Sequence, residues 1–314
     1  MKNPCFLLFL LSLFLYPLCL KAQVNGVSGY WQQHVDYKIE VEMNVETAQY
    51  EGKQRVIYTN NSPDTLDRVF FHLYFNAFQP GSEMDVHSRN IADPDSRVMS
   101  RIEKLEKKDY GYLNVFSIKQ DGVEINSHVA GTVLEVDLDK PISPGEKTVF
   151  NMAFSGQAPL IIRRAGKKNK EGVALSMAQW YPKLAEYDYE GWHASPYIGR
   201  EFHGVWGNFD VLLTIDKTFI VGATGYLQNP GSIDTSPSKG SGKNTWHFIA
   251  PNVHDFTWAA DPDYTHDIVQ MKGGPKLHFY YKNNLSEKQL RDWKKLQPIT
   301  AKLMVFFNEN IGPY

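Results

Sequence analysis

Downstream of an apolar leader, the chain alternates with a period of two. In YKIEVEMNV, Tyr37, Ile39, Val41, Met43 and Val45 share one face, and charged or polar residues occupy the other. Such alternation marks a half-buried strand. KQRVIYTNN and DRVFFHLYFNAF follow, separated by NNSPD, whose Asn, Ser, Pro and Asp supply turn chemistry. Further strands are expected at LNVFSIKQ, TVLEVDL, KTVFNMAFSG, FDVLLTID, FIVGATG, TWHFIAPN and FTWAADPDY, with QDGVE and SPGEK as hairpin connections. Roughly ten strands, short turns and almost no helix predict a mainly β chain, an antiparallel β-sandwich or saddle.

The leader itself, MKNPCFLLFLLSLFLYPLCLKAQ, places Lys2 ahead of an apolar run from Phe6 to Leu20. A run of about 15 residues falls short of the roughly 20 that span a bilayer, which predicts a cleaved signal peptide over residues 1–22. The mature chain is then expected to be exported, with no stable membrane span. Both cysteines, Cys5 and Cys19, lie in the leader, so the remainder has neither disulfides nor thiolate ligands. Losing Lys2 and Lys21 leaves 31 basic against 35 acidic residues, a formal charge of −4. That balance argues against nucleic acid as a partner. The basic stretch RRAGKKNKEG (163–172) reads as a solvated loop, and NPGSIDTSPSKGSGKN (229–244) as a flexible connection.

The pattern changes from residue 275. PKLHFYYKNN reads as one more strand, and Ser286-Glu287-Lys288-Gln289 as a capping box that opens a helix. Leu296, Ile299, Leu303 and Phe306 recur at three-and-four spacing, with Pro298 expected to kink or restart the helix. One strand and one helix cannot make a domain, so their apolar face needs either the β domain or a further body. The helical pattern runs into Gly312-Pro313-Tyr314, an arrangement that usually leads into another element.

Ten histidines invite a search for metal ligands. Zinc requires convergent donors, which on a helix means His-Glu-x-x-His, and no such pair exists here. His247 with His254, and His193 with His203, have spacings that fit neither a helix nor a short strand. No metal ligand or catalytic residue is assigned, and no stoichiometric zinc is expected. Gly-x-Ser-x-Gly and phosphate-binding glycine loops are absent. Carboxylate pairs such as Asp188 with Glu190, or Asp255 with Asp261, can be named for glycoside hydrolysis, but nothing selects them. The aromatic stretch QWYPKLAEYDYEGWH reads as a packing seam before a sugar platform.

Longer segments carry a resemblance. VIYTNNSPDTLDRVFFHLYFNAF, SMAQWYPKLAEYD with EFHGVWGNFDVLLTI, then GATGYLQNP and HDFTWAADPDY, resemble in order the aminopeptidase N-type family of gluzincin zinc metallopeptidases. The resemblance implies an N-terminal β domain over residues 23–267 and the start of a thermolysin-like catalytic domain over 268–314. The intact family removes N-terminal amino acids from peptides with zinc as cofactor, using His-Glu-x-x-His and a Gly-x-Met-Glu-Asn-like loop. Neither motif occurs in this sequence, so the chain is expected to be a truncated, inactive form that lacks the catalytic domain. The resemblance also implies a Gln or Glu at the mouth of the substrate pocket, for which Gln179 is the nearest match; otherwise Gln179 caps a strand end. A standalone binding or scaffold module, or a glycan-binding protein, is the alternative.

Overall fold

Strand His34–Asn44 realises the alternation, with Val35, Tyr37, Ile39, Val41 and Met43 buried. It pairs antiparallel with Gln49–Thr59 and parallel with Gly207–Asp216. A parallel partner cannot be reached by a tight turn, and the chain between the two strands builds further strands of the same sheet as well as a second sheet. The main sheet is therefore mixed, not wholly antiparallel as the sequence suggests. Gly207 permits this pairing, because a Cβ there would lie 1.7 Å from the Val35 carbonyl oxygen.

The computed structural model describes residues 29–199, 203–233 and 242–312. The signal-peptide reading and the centre of the 229–244 connection lie outside them. In the unit Gln32–Tyr314, the eight-stranded sheet runs Tyr226–Leu227, Lys243–Val253, Gly207–Asp216, His34–Asn44, Gln49–Thr59, Lys147–Gln157, Tyr112–Gln120, Val123–Glu124. A four-stranded sheet orders Lys183–Leu184, Leu66–His72, Val133–Ile142 and Ser127–Ala130, and another is built on Trp258–Asp261. Side chains from these sheets fill one apolar core: Phe71 meets Phe150 edge-on at 5.8 Å, and Tyr37 meets Tyr181 at 5.4 Å. The mainly β expectation holds.

The two glycine turns differ. QDGVE is a hairpin, with Asp121 (φ 48°) and Gly122 (φ 93°) both left-handed as a primed turn requires. SPGEK is not. It closes tightly, Glu146 N donating to Ser143 O at 3.0 Å, but carries the chain from Val133–Ile142 in the second sheet to Lys147–Gln157 in the main one. A turn reverses the chain without choosing the ladder that the next strand joins.

A helix and a strand are among the elements that lie outside the sequence expectations. Helix Glu83–Asn90 is capped by Ser82, which accepts from Asp85 N at 3.2 Å, and is mostly polar with no apolar stripe. Strand Tyr264–Gln270 pairs with Lys276–Lys282 from Tyr264↔Lys282 to Gln270↔Lys276. The long helix Glu287–Asn310 opens on the expected capping box and continues through Pro298. It touches the preceding hairpin on one side: the Trp293 ring stacks on Tyr281 at 5.4 Å, and Lys294 and Gln297 both bond Asp267. Leu296, Ile299, Leu303 and Phe306 remain 43, 51, 47 and 54% exposed. No helix among the described residues is long and apolar enough to cross a membrane.

Candidate functional site

The segment from Gln179 to His193 is threaded through the core before it reaches the surface. Tyr50 Oη donates to Trp180 O, Gln54 Nε2 to Pro182 O at 2.9 Å, and Leu184 N to Tyr37 Oη at 2.8 Å. Side chains of the main sheet thus satisfy a backbone that has few sheet partners of its own. Trp180 and Tyr181 are fully buried, and Trp192 packs on Phe70 at 5.5 Å. These rings form the packing seam, not an open sugar platform; Tyr189 is the exposed exception.

The chain then turns. Tyr187–Asp188 and Gly191–Trp192 make a two-stranded hairpin, with Gly191 at φ 95° and Glu190 N donating to Asp188 Oδ1 at 2.8 Å. His193 follows, its N donating to Glu186 O at 2.8 Å and its carbonyl oxygen accepting from His72 Nε2 at 3.1 Å. The backbone on both sides of its ring is fixed.

This arrangement brings together residues whose spacing gave no signal. His193 Nε2 lies 2.9 Å from Asp188 Oδ1, and His203 Nε2 lies 3.4 Å from Asp188 Oδ2. The two imidazoles meet edge-on at 4.4 Å, and one donor atom from each of the three residues lies within 4.8 Å of the others. His193 Nε2 is shut off from solvent and makes no aligned hydrogen bond despite its close approach to Asp188. Burial works to raise the Asp188 carboxyl, but the His193 ring, the Glu190 amide and His203 together hold it below its usual value.

Two buried groups stand behind the cluster. Burial, reinforced by Lys183 and opposed by the His193 carbonyl, lowers His72 to about 4. Burial, reinforced by Asp188, raises Glu186 to about 7. Their effects on stability have opposite signs. His72 is neutral in the fold while the unfolded chain protonates near 6.5, so its contribution is complete above that value and is lost as pH falls toward 4. Glu186 keeps its proton in the fold while the unfolded chain ionises near 4.5, so its contribution is complete below that value and is lost as pH rises toward 7. The pair is expected to leave stability nearly level between these values. Urea unfolding with EDTA present should show H72Q losing stability as pH rises through that window and E186Q gaining it. Parallel profiles for the two variants would contradict the assignment.

The other sequence candidates resolve into separate roles. His247 contacts Asp210 at 2.8 Å while His254 packs on Trp206, so these histidines do not converge. Asp255 accepts from Tyr181 Oη and Phe256 N, and Asp261 from Ala174 N, Asp263 N and Lys282 Nζ, which makes both carboxylates structural anchors. Glu190 is exposed. Gln179 sits after strand Leu175–Met177 in the left-handed region at φ 60° and is 4% exposed.

The sequence matches no protein-family model and no curated protein. Among solved structures, it is similar to an M1 zinc metallopeptidase from Deinococcus radiodurans at 15% identity and a TM-score of 0.48, over 90% of this chain and 53% of that one. A Deinococcus radiodurans M1 zinc metallopeptidase variant bound to a Tyr-Ser-Ala substrate gives 15% identity and a TM-score of 0.49, over 90% of this chain and 54% of that one. The chain spans about half the length of these enzymes.

Proposed function

We propose that this chain is the N-terminal, non-catalytic part of an exported zinc metallo-aminopeptidase-like protein. Residues 1–22 are its signal peptide, 23–267 its β domain and 268–314 the beginning of the catalytic domain. The ordered segment resemblance supports this reading. The observation that carries it is the long helix, whose Leu296, Ile299, Leu303 and Phe306 face is exposed while its other side rests on the Tyr264–Lys282 hairpin. That face suits a second body packed against it.

Peptides are the substrates of the intact family, and Gln179 is the residue assigned to the rim of their pocket. The family's zinc requires two histidines separated by a glutamate base and two further residues. Asp188, His193 and His203 do not fit that pattern: their histidines are not in a His-Glu-x-x-His, and no glutamate occupies the base position between such ligands. No hydrolytic step is therefore assigned to this chain, and it is expected to turn over no aminoacyl reporter.

The helix face provides the test. Replacing Leu303 and Phe306 with lysine should reduce self-association in size-exclusion chromatography and change stability by less than about 1 kcal/mol, because both side chains are already exposed. A loss of several kcal/mol would mean that the face is buried within this chain. The coding sequence beyond codon 314 supplies an independent check. An open frame with His-Glu-x-x-His supports the reading, and a stop without that motif overturns it.

A further inference from the structure

We propose that Asp188, His193 and His203 form a site for one divalent transition-metal ion of the zinc type. Ligands of a tetrahedral or octahedral ion, each about 2.1 Å from the metal, sit about 3.0 to 3.5 Å apart. The contacts of 2.9 Å from His193 to Asp188 and 3.4 Å from His203 to Asp188 have that scale. Two imidazoles and one carboxylate form a donor set that suits Zn²⁺, Co²⁺, Ni²⁺ or Cu²⁺ and poorly suits Ca²⁺ or Mg²⁺, which take oxygen ligands.

Orientation adds a second argument. His193 Nε2 is closed to water and lies near Asp188 Oδ1 without being aligned to hydrogen-bond to it. The ring nitrogen therefore has no protein partner in line with it, a condition that a metal-bound imidazole nitrogen also meets. The supports are also in place: the Glu190 amide holds Asp188, and the Glu186 carbonyl and His72 ring hold the His193 backbone. Such outer contacts orient ligands and raise affinity. The His203 side chain is 58% exposed and leaves an entry path, with solvent or a ligand completing the coordination. The other close histidine pair, His266 Nε2 to His278 Nδ1 at 2.9 Å, is stacked on Tyr280 and has no carboxylate within its group.

The test uses the full chain, stripped with EDTA and dialysed, then titrated separately with Zn²⁺ by calorimetry and with Co²⁺ by visible absorption. One ion per chain is expected, with Co²⁺ giving the ligand-field bands of a nitrogen and oxygen site. D188N and H203A should each weaken binding by about tenfold or more. H278A should leave it unchanged. Urea midpoints of the variants separate loss of ligands from loss of fold, and H203A alters the most exposed of the three side chains. Failure to bind either ion at millimolar concentration overturns the proposal. So does binding that survives both D188N and H203A, or binding that disappears in H278A.

Discussion

Replacing Asp255 with alanine is expected to destabilise the chain by about 3–5 kcal/mol, the range for breaking a buried ion pair from one side. Lys183 lies on the strand that edges the second sheet, and its side chain is 3% exposed. Its Nζ stands 3.4 Å from Asp255 Oδ2 and makes no aligned hydrogen bond, so its compensation is the opposing charge itself. Asp255 is better provided, since Oδ1 accepts from Tyr181 Oη at 2.9 Å and Phe256 N at 2.8 Å. This asymmetry predicts an order among variants. Asp255→Ala strands the lysine and also removes the acceptor for two donors. Lys183→Met removes the charge that most needs a partner and keeps the stem packed against Gly204, so its loss should be smaller. Combining D255N with K183M should recover part of the deficit of D255N alone. Urea unfolding of these variants decides the matter; an Asp255→Ala value within about 1 kcal/mol of the parent would show that water solvates the lysine.

How much of this could be read from the sequence depended on how far the determining contacts lie apart. Tyr37, Ile39, Val41 and Met43 announce their strand because one sheet face is buried along its whole length. Ser286 and Gln289 announce the helix start because a cap is settled within four residues. The parallel pairing of His34–Asn44 with Gly207–Asp216 has no local signal, and SPGEK looks like a hairpin because turn chemistry is silent about the sheet. The candidate site is harder still. His193 and His203 meet although their spacing carries no helical or strand period, and Asp188 joins them through a turn set by Gly191. Nor does the sequence show that Gln179 adopts a left-handed backbone inside the core. The aromatic stretch was legible in kind, as a seam, because so many large rings seldom stay in water.

Trp180→Ala is the sharpest test of that seam, with an expected loss of about 3–5 kcal/mol. The ring is fully buried and meets Tyr181 at 5.3 Å, Tyr50 at 6.2 Å and Trp258 at 6.2 Å, each close to edge-on. Its Nε1 donates to Phe256 O at 3.1 Å, tying this segment to the residue beside Asp255. Alanine therefore leaves a large cavity where several elements converge and also leaves a buried carbonyl without its donor. Trp180→Phe separates these two effects. It keeps most of the ring volume but loses Nε1, and is expected to cost about 1–3 kcal/mol, the penalty for a buried polar group left unpaired. A glycan platform predicts the reverse, with sugar binding abolished by Trp180→Ala and stability unchanged. Urea unfolding of both variants, with sugar-binding assays alongside, distinguishes the two roles. A Trp180→Ala chain as stable as its parent would mean that the seam tolerates a void at its centre, contrary to the close packing of its rings.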